Sequence, residues 1–453
     1  MSEISRREFL KTAAVGLVAL TSVPFDVSKL NLENPEAENK FIPNFEYVGP
    51  PIIDKGENNW SEGERAGWVD PNNADRMLVG TWNHGLWETT DGGEDWKKVN
   101  IPAIQKESQV SSVARDTLTI PGTKEILIVF DYSLAIGSLD NPNWDVINLP
   151  TESFVAQTAC VLPDGRVLVG GYPGVAVADI DSLKDTIKFN KSNPDSPKNF
   201  EWKVIKGLSN WESWFFIRTI AHVPSNMVDP GKILFGGWFG MENNGTQHGT
   251  GLICIDDKDF KIIEEYSHTF EHVLEGNYKG PMSVNMIKVT YYKGHEIIFV
   301  GGEGSGSINN RRYNPERPSL QIIVDGVVYP QELVNCKGLT ESGGGYDLIT
   351  PQRGIVICAE TAEVFVSTGF KEISRVSLED IIQRKVINWE RITKAPKGQK
   401  DFGALHMAIT HHKKSRIPAL MVCRQIYGKG LLPFQEVGRA DLAPEDYTST
   451  KKL

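Results

Sequence analysis

Six residues ahead of a turn proline, three separate stretches of this chain carry arginine: Arg65 before Pro71, Arg115 before Pro121 and Arg218 before Pro224. A fourth stretch has Gln157 before Pro163 and a fifth has Gly345 before Pro351. Two further stretches lack the proline and align more loosely, placing Asn285 and His406 at the same step. Guanidinium forks match carboxylate and phosphate oxygens bidentately, so arginines brought together from these positions would hold an anion. The competing reading is structural, with each arginine bracing a neighbouring carboxylate. A second series follows each of these stretches: Trp82, Asp131, Tyr172, Trp238, Glu303, Glu360 and Gln425. Aromatic faces beside hydrogen-bonding groups suit sugar rings. Elimination at a uronate needs a cation to neutralise the carboxylate, a base and an acid; Arg65, Arg115 and Arg218 would neutralise, His406 would be base and Tyr172 acid. Hydrolysis would need paired carboxylates, for which Glu303 and Glu360 are the candidates.

The elements that must position these residues are repeats. One unit recurs seven times: a short apolar run often ending in a small-residue pair, a turn, and a second apolar run. The first runs are 77–81, 126–130, 167–171, 233–237, 297–302, 355–359 and 419–423, and the second 86–89, 134–138, 175–179, 252–255, 320–324, 364–367 and 431–434. Another strand-like stretch lies upstream of each, and an edge-like one downstream, which in four units carries Trp96, Trp144, Trp202 or Trp389. Four short strands per unit predict propeller blades, so the expected fold is all-β, a single seven-bladed β-propeller over 42–438. The last unit runs short of strand residues, and its fourth strand is expected from about 42–48. Residues 26–41 read as a linker and 439–453 as a polar tail. Beyond the first 25 residues only 376–385 keeps a helical period. In a propeller the innermost strands start at one face of the channel, which would gather Arg65, Arg115, Gln157, Arg218, Asn285 and His406 into one site, rimmed by Trp82, Asp131 and Trp238.

Thr89-Thr90-Asp91-Gly92-Gly93-Glu94-Asp95-Trp96 fits Ser/Thr-x-Asp-x-Gly-x-x-Trp, and with Val69-Asp70-Pro71 and Gly85-Leu86-Trp87 it resembles a blade of the Asp-box propellers. That group includes sialidases, xyloglucan hydrolases, sortilin-type receptors and photosystem II assembly factors. The resemblance covers about one blade and implies a structural turn at Asp91 and Trp96. A sialidase assignment is declined: Arg416-Ile417-Pro418 has the sialidase pattern but comes near the end of the chain, and sialidases have six blades. Ser5-Arg6-Arg7-Glu8-Phe9-Leu10-Lys11 before the uncharged stretch 12–25 resembles a twin-arginine export signal. It implies a periplasmic or secreted protein that meets the twin-arginine translocase. The stretch is short of the roughly 20 residues of a membrane span, so no stable membrane insertion is expected.

Composition narrows the classes. A 453-residue chain with 42 Gly and 25 Pro suits many short elements, and a net charge of −10 disfavours nucleic acid as a partner. Five cysteines without metal-ligand spacing give neither a disulfide framework nor a metal site, and no cofactor is indicated. Two Gly/Asn-rich insertions, 239–250 and 304–319, are long enough to wall a pocket, the second with Arg311, Arg312, Tyr313 and Arg317. His84 and His248 fall in loops on the same side. The expected function is an exported propeller that binds, and as a lyase or glycosidase cleaves, an acidic carbohydrate in a central arginine-lined pocket; the alternative is a non-catalytic propeller holding a protein or other anionic partner.

Overall fold

The computed structural model describes residues 45–47, 64–70, 73–81, 86–101, 114–150, 154–172, 174–205, 214–224, 231–240, 248–261, 263, 283–303, 320–329, 331–334, 354–368, 372–392, 403–411, 418–425 and 435–442. The export signal, the linker and most of the tail lie outside them.

Strands follow one another as antiparallel meanders. One sheet is β2 (Glu64–Asp70), β3 (Asn73–Thr81), β4 (Leu86–Thr89) and β5 (Lys97–Val99). The next is β6 (Ala114–Thr119), β7 (Ile126–Phe130), β8 (Ser133–Ser138) and β9 (Asn141–Asn148), followed by β10 (Val155–Val161), β11 (Arg166–Tyr172), β12 (Gly174–Asp179) and β13 (Lys203–Val204). After these come β14 (Trp214–Val223), β15 (Lys232–Gly240) and β16 (His248–Asp256), then β17 (Ser283–Tyr292), β18 (His295–Glu303), β19 (Leu320–Val324) and β20 (Val327–Val328). The sheet of β21 (Ile355–Cys358), β22 (Glu363–Thr368), β23 (Glu372–Ser377) and β24 (Glu390–Arg391) precedes β25 (Gly403–His411), β26 (Pro418–Gln425) and β27 (Gln435–Asp441). β27 pairs with β1 (Phe45–Tyr47), Phe45 opposite Ala440, so the front of the chain completes that last sheet.

The expectation of a seven-bladed propeller is corrected here. Six sheets are complete four-stranded blades, whereas β14–β16 holds three strands among the described residues. Past β16 the described residues show two ladder-like bonds, Asp256 N to Lys261 O at 2.8 Å and Ile263 N to Cys254 O at 2.8 Å, and form no fourth strand among themselves. Three local readings change as well. β21 is the innermost strand of its sheet, where 355–359 was expected as the second. The run 431–434 lies outside the described residues, and β27 continues to Asp441, into the stretch read as tail. A 13-residue helix, α1 (Ile180–Ser192), leaves β12 directly. Its buried face is Ile180, Leu183 and Ile187, and Asp179 caps it by accepting from Ser182 N at 2.9 Å. Two short helices, α2 (Gln331–Val334) and α3 (Leu378–Ile382), follow β20 and β23; α3 is all that forms of the helical period at 376–385.

The core lies between neighbouring sheets. Leu127, Val129, Val167 and Val169 pack one such interface, Leu168, Val177, Ile217 and Phe235 the next, and Leu234, Leu252, Ile298 and Val300 the one after. Alternate residues of each central strand feed opposite interfaces, as the two-residue period of a strand requires. Edge-strand tryptophans tie sheets together: Trp202 Nε1 donates to Asn148 O at 3.0 Å, and Trp389 Nε1 to Val334 O at 2.9 Å. At 89–96 the turn is closed by Thr89 Oγ1 to Asp91 Oδ1 at 2.7 Å, Asp95 N to Asp91 Oδ1 at 3.1 Å and Trp96 Nε1 to Gly93 O at 3.1 Å. Trp96 packs on Val69, Met77 and Met421, between the first and last sheets. These are structural roles.

Candidate functional site

In six of the seven sheets the pairing of the innermost strand with its neighbour slips by one residue at a matched place; β21 pairs without a slip. In β6 the partner of Ala114 is Phe130 and the partner of Asp116 is Val129, leaving Arg115 as the extra residue. The same slip leaves Arg65 extra in β2, Gln157 in β10, Arg218 in β14 and Asn285 in β17. A β-bulge of this kind takes its side chain out of the ordinary alternation and re-aims it. Four of these residues, Arg115, Gln157, Arg218 and Asn285, line one cavity that opens to solvent.

At the Gln157 and Arg218 bulges, glycine at the end of the second strand gives the backbone room. A Cβ on Gly171 would fall on Val155 O and within 2.8 Å of Ala156 Cα; one on Gly237 would fall on Phe216 O. The bulged backbone leans onto the neighbouring strand, and only glycine leaves room. Immediately after two of the bulges comes a contact to the next sheet. Asp116 Oδ2 accepts from Thr158 Oγ1 at 3.0 Å and Ala159 N at 3.4 Å, while Thr219 Oγ1 accepts from Ile287 N at 3.2 Å. Asp116, Thr158 and Thr219 are all buried and also line the cavity. Sequence reasoning missed them, although each is one step past an aligned position.

The two described guanidinium groups have different partners. Arg115 Nε is salt-bridged to Asp131 Oδ1, and the two side chains are 11% and 4% exposed. Arg218 Nη1 donates to Asn285 Oδ1 at 2.7 Å, across the boundary between sheets, and its guanidinium lies 5.5 Å from the Phe216 ring centre. Asn285 is buried, 1% exposed. Gln157 Nε2 donates to Ala156 O at 2.9 Å.

Other expected site residues fall differently. Tyr172 ends β11 opposite Val155, half-buried. Trp238 and Glu303 hold matching backbone positions, opposite Phe216 and Ser283. For Arg65, Trp238, Glu303 and His406 the backbone is described and the side chain is not; Trp82 lies outside the described residues, as do Gly345, His84 and residues 304–319. Two placements are corrected. In β25 the extra residue at the slip is Leu405, so His406 is one step past the position aligned with the arginines. With no turn proline to fix the step there, the sequence alignment was off by one. Glu360 lies in the turn between β21 and β22, because β21 is innermost; that turn is at the far ends of the inner strands, away from the cavity. There Glu360 Oε1 meets His411 Nε2 at 2.8 Å, at the end of β25. Desolvation raises the Glu360 pKa, but the bond and charge of His411 outweigh it and hold the carboxyl below its usual range. Glu303 and Glu360 are thus not a catalytic pair.

No protein-family model matches the chain, and no curated protein matches it. Among solved structures, an ancestral GH74 enzyme is 13% identical over 88% of this chain and 51% of its own, with a TM-score of 0.53. The chain therefore spans about half of that enzyme. The Neurospora crassa Pan2 WD40 domain is 10% identical, covering 88% of this chain and 95% of that one at a TM-score of 0.47, and a chain of the mitotic checkpoint complex is 9% identical, covering 92% and 99% at 0.49. At such identities the GH74 likeness is one of fold alone: the chain is a β-propeller.

Proposed function

We propose that this propeller binds an acidic carbohydrate at the mouth of its channel. One observation carries the reading: the bulge residues of four successive inner strands, two arginines and two amides, converge on one solvent-open cavity. Guanidinium groups meet a carboxylate with paired donors, and side-chain amides donate to and accept from hydroxyls. Binding is favoured over cleavage because the two-carboxylate arrangement is lost with Glu360 and the base position is taken by Leu405. Export through the twin-arginine pathway and kinship with Asp-box propellers belong to the same proposal, supported by residues 5–11 and by the bonded turn at 89–96.

Thermal melts and calorimetry with acidic oligosaccharides, neutral oligosaccharides and acidic peptides test the binding. A ligand selective for the folded state raises the melting temperature by mass action. Stabilisation by acidic saccharides, lost in Arg115→Ala and Arg218→Ala, is expected. Stabilisation by acidic peptides alone would move the reading to a protein partner.

A further inference from the structure

An arginine that meets an anion gives up the rotamer freedom of a long side chain, a cost that falls when the guanidinium is already held in place. Arg218 is held from the neighbouring sheet. Its Nη1 donates to Asn285 Oδ1 at 2.7 Å, and because a guanidinium only donates, the oxygen of that amide must face it. Asn285 is 1% exposed, so packing keeps the acceptor where it is. On Arg218's own strand the Phe216 ring borders the guanidinium, its centre 5.5 Å away.

The backbone that carries Asn285 is fixed in turn. One residue past the Arg218 bulge, Thr219 Oγ1 accepts from Ile287 N at 3.2 Å, two residues past Asn285. One residue before Asn285, Val284 lies against Gly236, where a Cβ would fall 2.2 Å from Val284 Cγ1 and 2.8 Å from Thr219 Cγ2. The boundary between the sheets of β14 and β17 is thus tied in both directions: a hydroxyl of β14 holds the main chain of β17, and an amide of β17 holds the guanidinium of β14. Arg218, Thr219, Asn285 and Ile287 all line the cavity.

On the reading that this cavity binds an acidic saccharide, we infer that Asn285 is a positioning residue: it aims the Arg218 guanidinium from the neighbouring sheet and acts on a bound carboxylate through it. Thr219 sets the spacing between the two bulges. The preference for an acidic sugar over its neutral counterpart is then a property of the sheet boundary and not of Arg218 alone.

Calorimetric titration of the purified protein with digalacturonate and with the neutral galactose disaccharide of the same linkage tests this, and melting curves report the folding of each variant. Arg218→Ala should remove the preference for the acidic probe. Asn285→Ala should weaken digalacturonate binding by about fivefold, the scale of ordering one long side chain, and leave the neutral disaccharide unchanged. The double variant should bind no worse than Arg218→Ala, because a residue that acts through another has nothing left to act on. Thr219→Val should weaken the acidic probe in the same way, and Thr219→Ser, which keeps the hydroxyl, should recover it. Losses that add in the double variant, equal losses for the two probes, or undiminished digalacturonate binding by folded Asn285→Ala would each overturn the role of Asn285 while the binding reading survives. Absence of digalacturonate binding by wild type overturns that reading together with this one.

Discussion

The two ends of the inner strands are built to opposite plans. At their starts, bulges turn Arg115, Gln157, Arg218 and Asn285 into a cavity, and polar groups meet there from four sheets. At their far ends, charges are closed on one another as clamps, within a sheet or between neighbouring ones. Lys232 of β15 meets Glu296 of β18 at 3.0 Å, and Tyr291 OH donates to the same carboxylate at 2.8 Å. His222 Nε2 pairs with Asp257 at 3.0 Å, and Arg166 with Asp164 at 2.6 Å while its guanidinium lies over Phe260. Burial pushes the His222 pKa down despite the neighbouring carboxylates. The same residue types serve two ends: what separates a site from a clamp is whether the backbone aims the side chain at space or at a partner.

The sharpest way to break that contrast is to remove half of a clamp. Lys232 and Glu296 are 5% and 8% exposed. Losing one member of such a buried pair strands the other charge, so Glu296→Ala should destabilise the fold by about 3–5 kcal/mol. Denaturant titration measures this. If the far end is structural only, the variant should bind acidic saccharide as wild type does while it remains folded; a weakened affinity would show that the two ends are coupled.

A smaller effect is expected where stability and site meet. Gly237→Ala puts a methyl group onto Phe216 O beside the Arg218 bulge. Relief of that overlap must move the bulge, at a cost of about 1–3 kcal/mol typical of overpacking. Ligand affinity should fall with it, unlike in Glu296→Ala. A variant that loses stability but keeps full affinity would separate the bulge from the aim of Arg218.

The strand repeat and the bulge residues were readable in the sequence for the same reason. A turn proline fixes the end of an inner strand, and counting back six residues reaches the extra residue in the sheets of β2, β6, β10 and β14. Where the proline is missing the count failed by one at Leu405. Before β21 it failed by a whole strand, because Ile355–Cys358 is apolar enough to pass for a second strand, and Glu360 went to the wrong end with it. The three-stranded sheet was not legible because 252–255 is an apolar third run like those of the complete sheets, and residues 264–282 beyond it lie outside the described ones. α1 escaped notice because three buried residues in 13 make a thin stripe. Asp131 was read as a rim residue, but its salt bridge to Arg115 is a matter of side-chain geometry that no spacing encodes.

The least disruptive test uses pH on a single far-end clamp. Glu360 belongs to the turn after β21 and His411 to the end of β25, so their 2.8 Å bond joins two sheets. Their side chains are 29% and 12% exposed, and the Glu360 carboxyl is held below its usual value of 4.5. A carboxyl with a depressed folded-state pKa binds protons more weakly in the folded than in the unfolded chain. Its contribution is therefore full above the unfolded value and is lost as pH falls through the folded one. Glu360→Gln should cost about 1 kcal/mol near neutral pH, the scale of one partly solvated hydrogen bond to charge. Below pH 4 the cost should shrink, since wild type loses the same interaction when the carboxyl protonates. Stability measured by urea titration from pH 7 to pH 3 should thus show the two curves converging on the acid side. Curves that stay parallel would mean that the carboxylate's charge contributes nothing to this clamp, leaving the far end held by packing and not by closed charge.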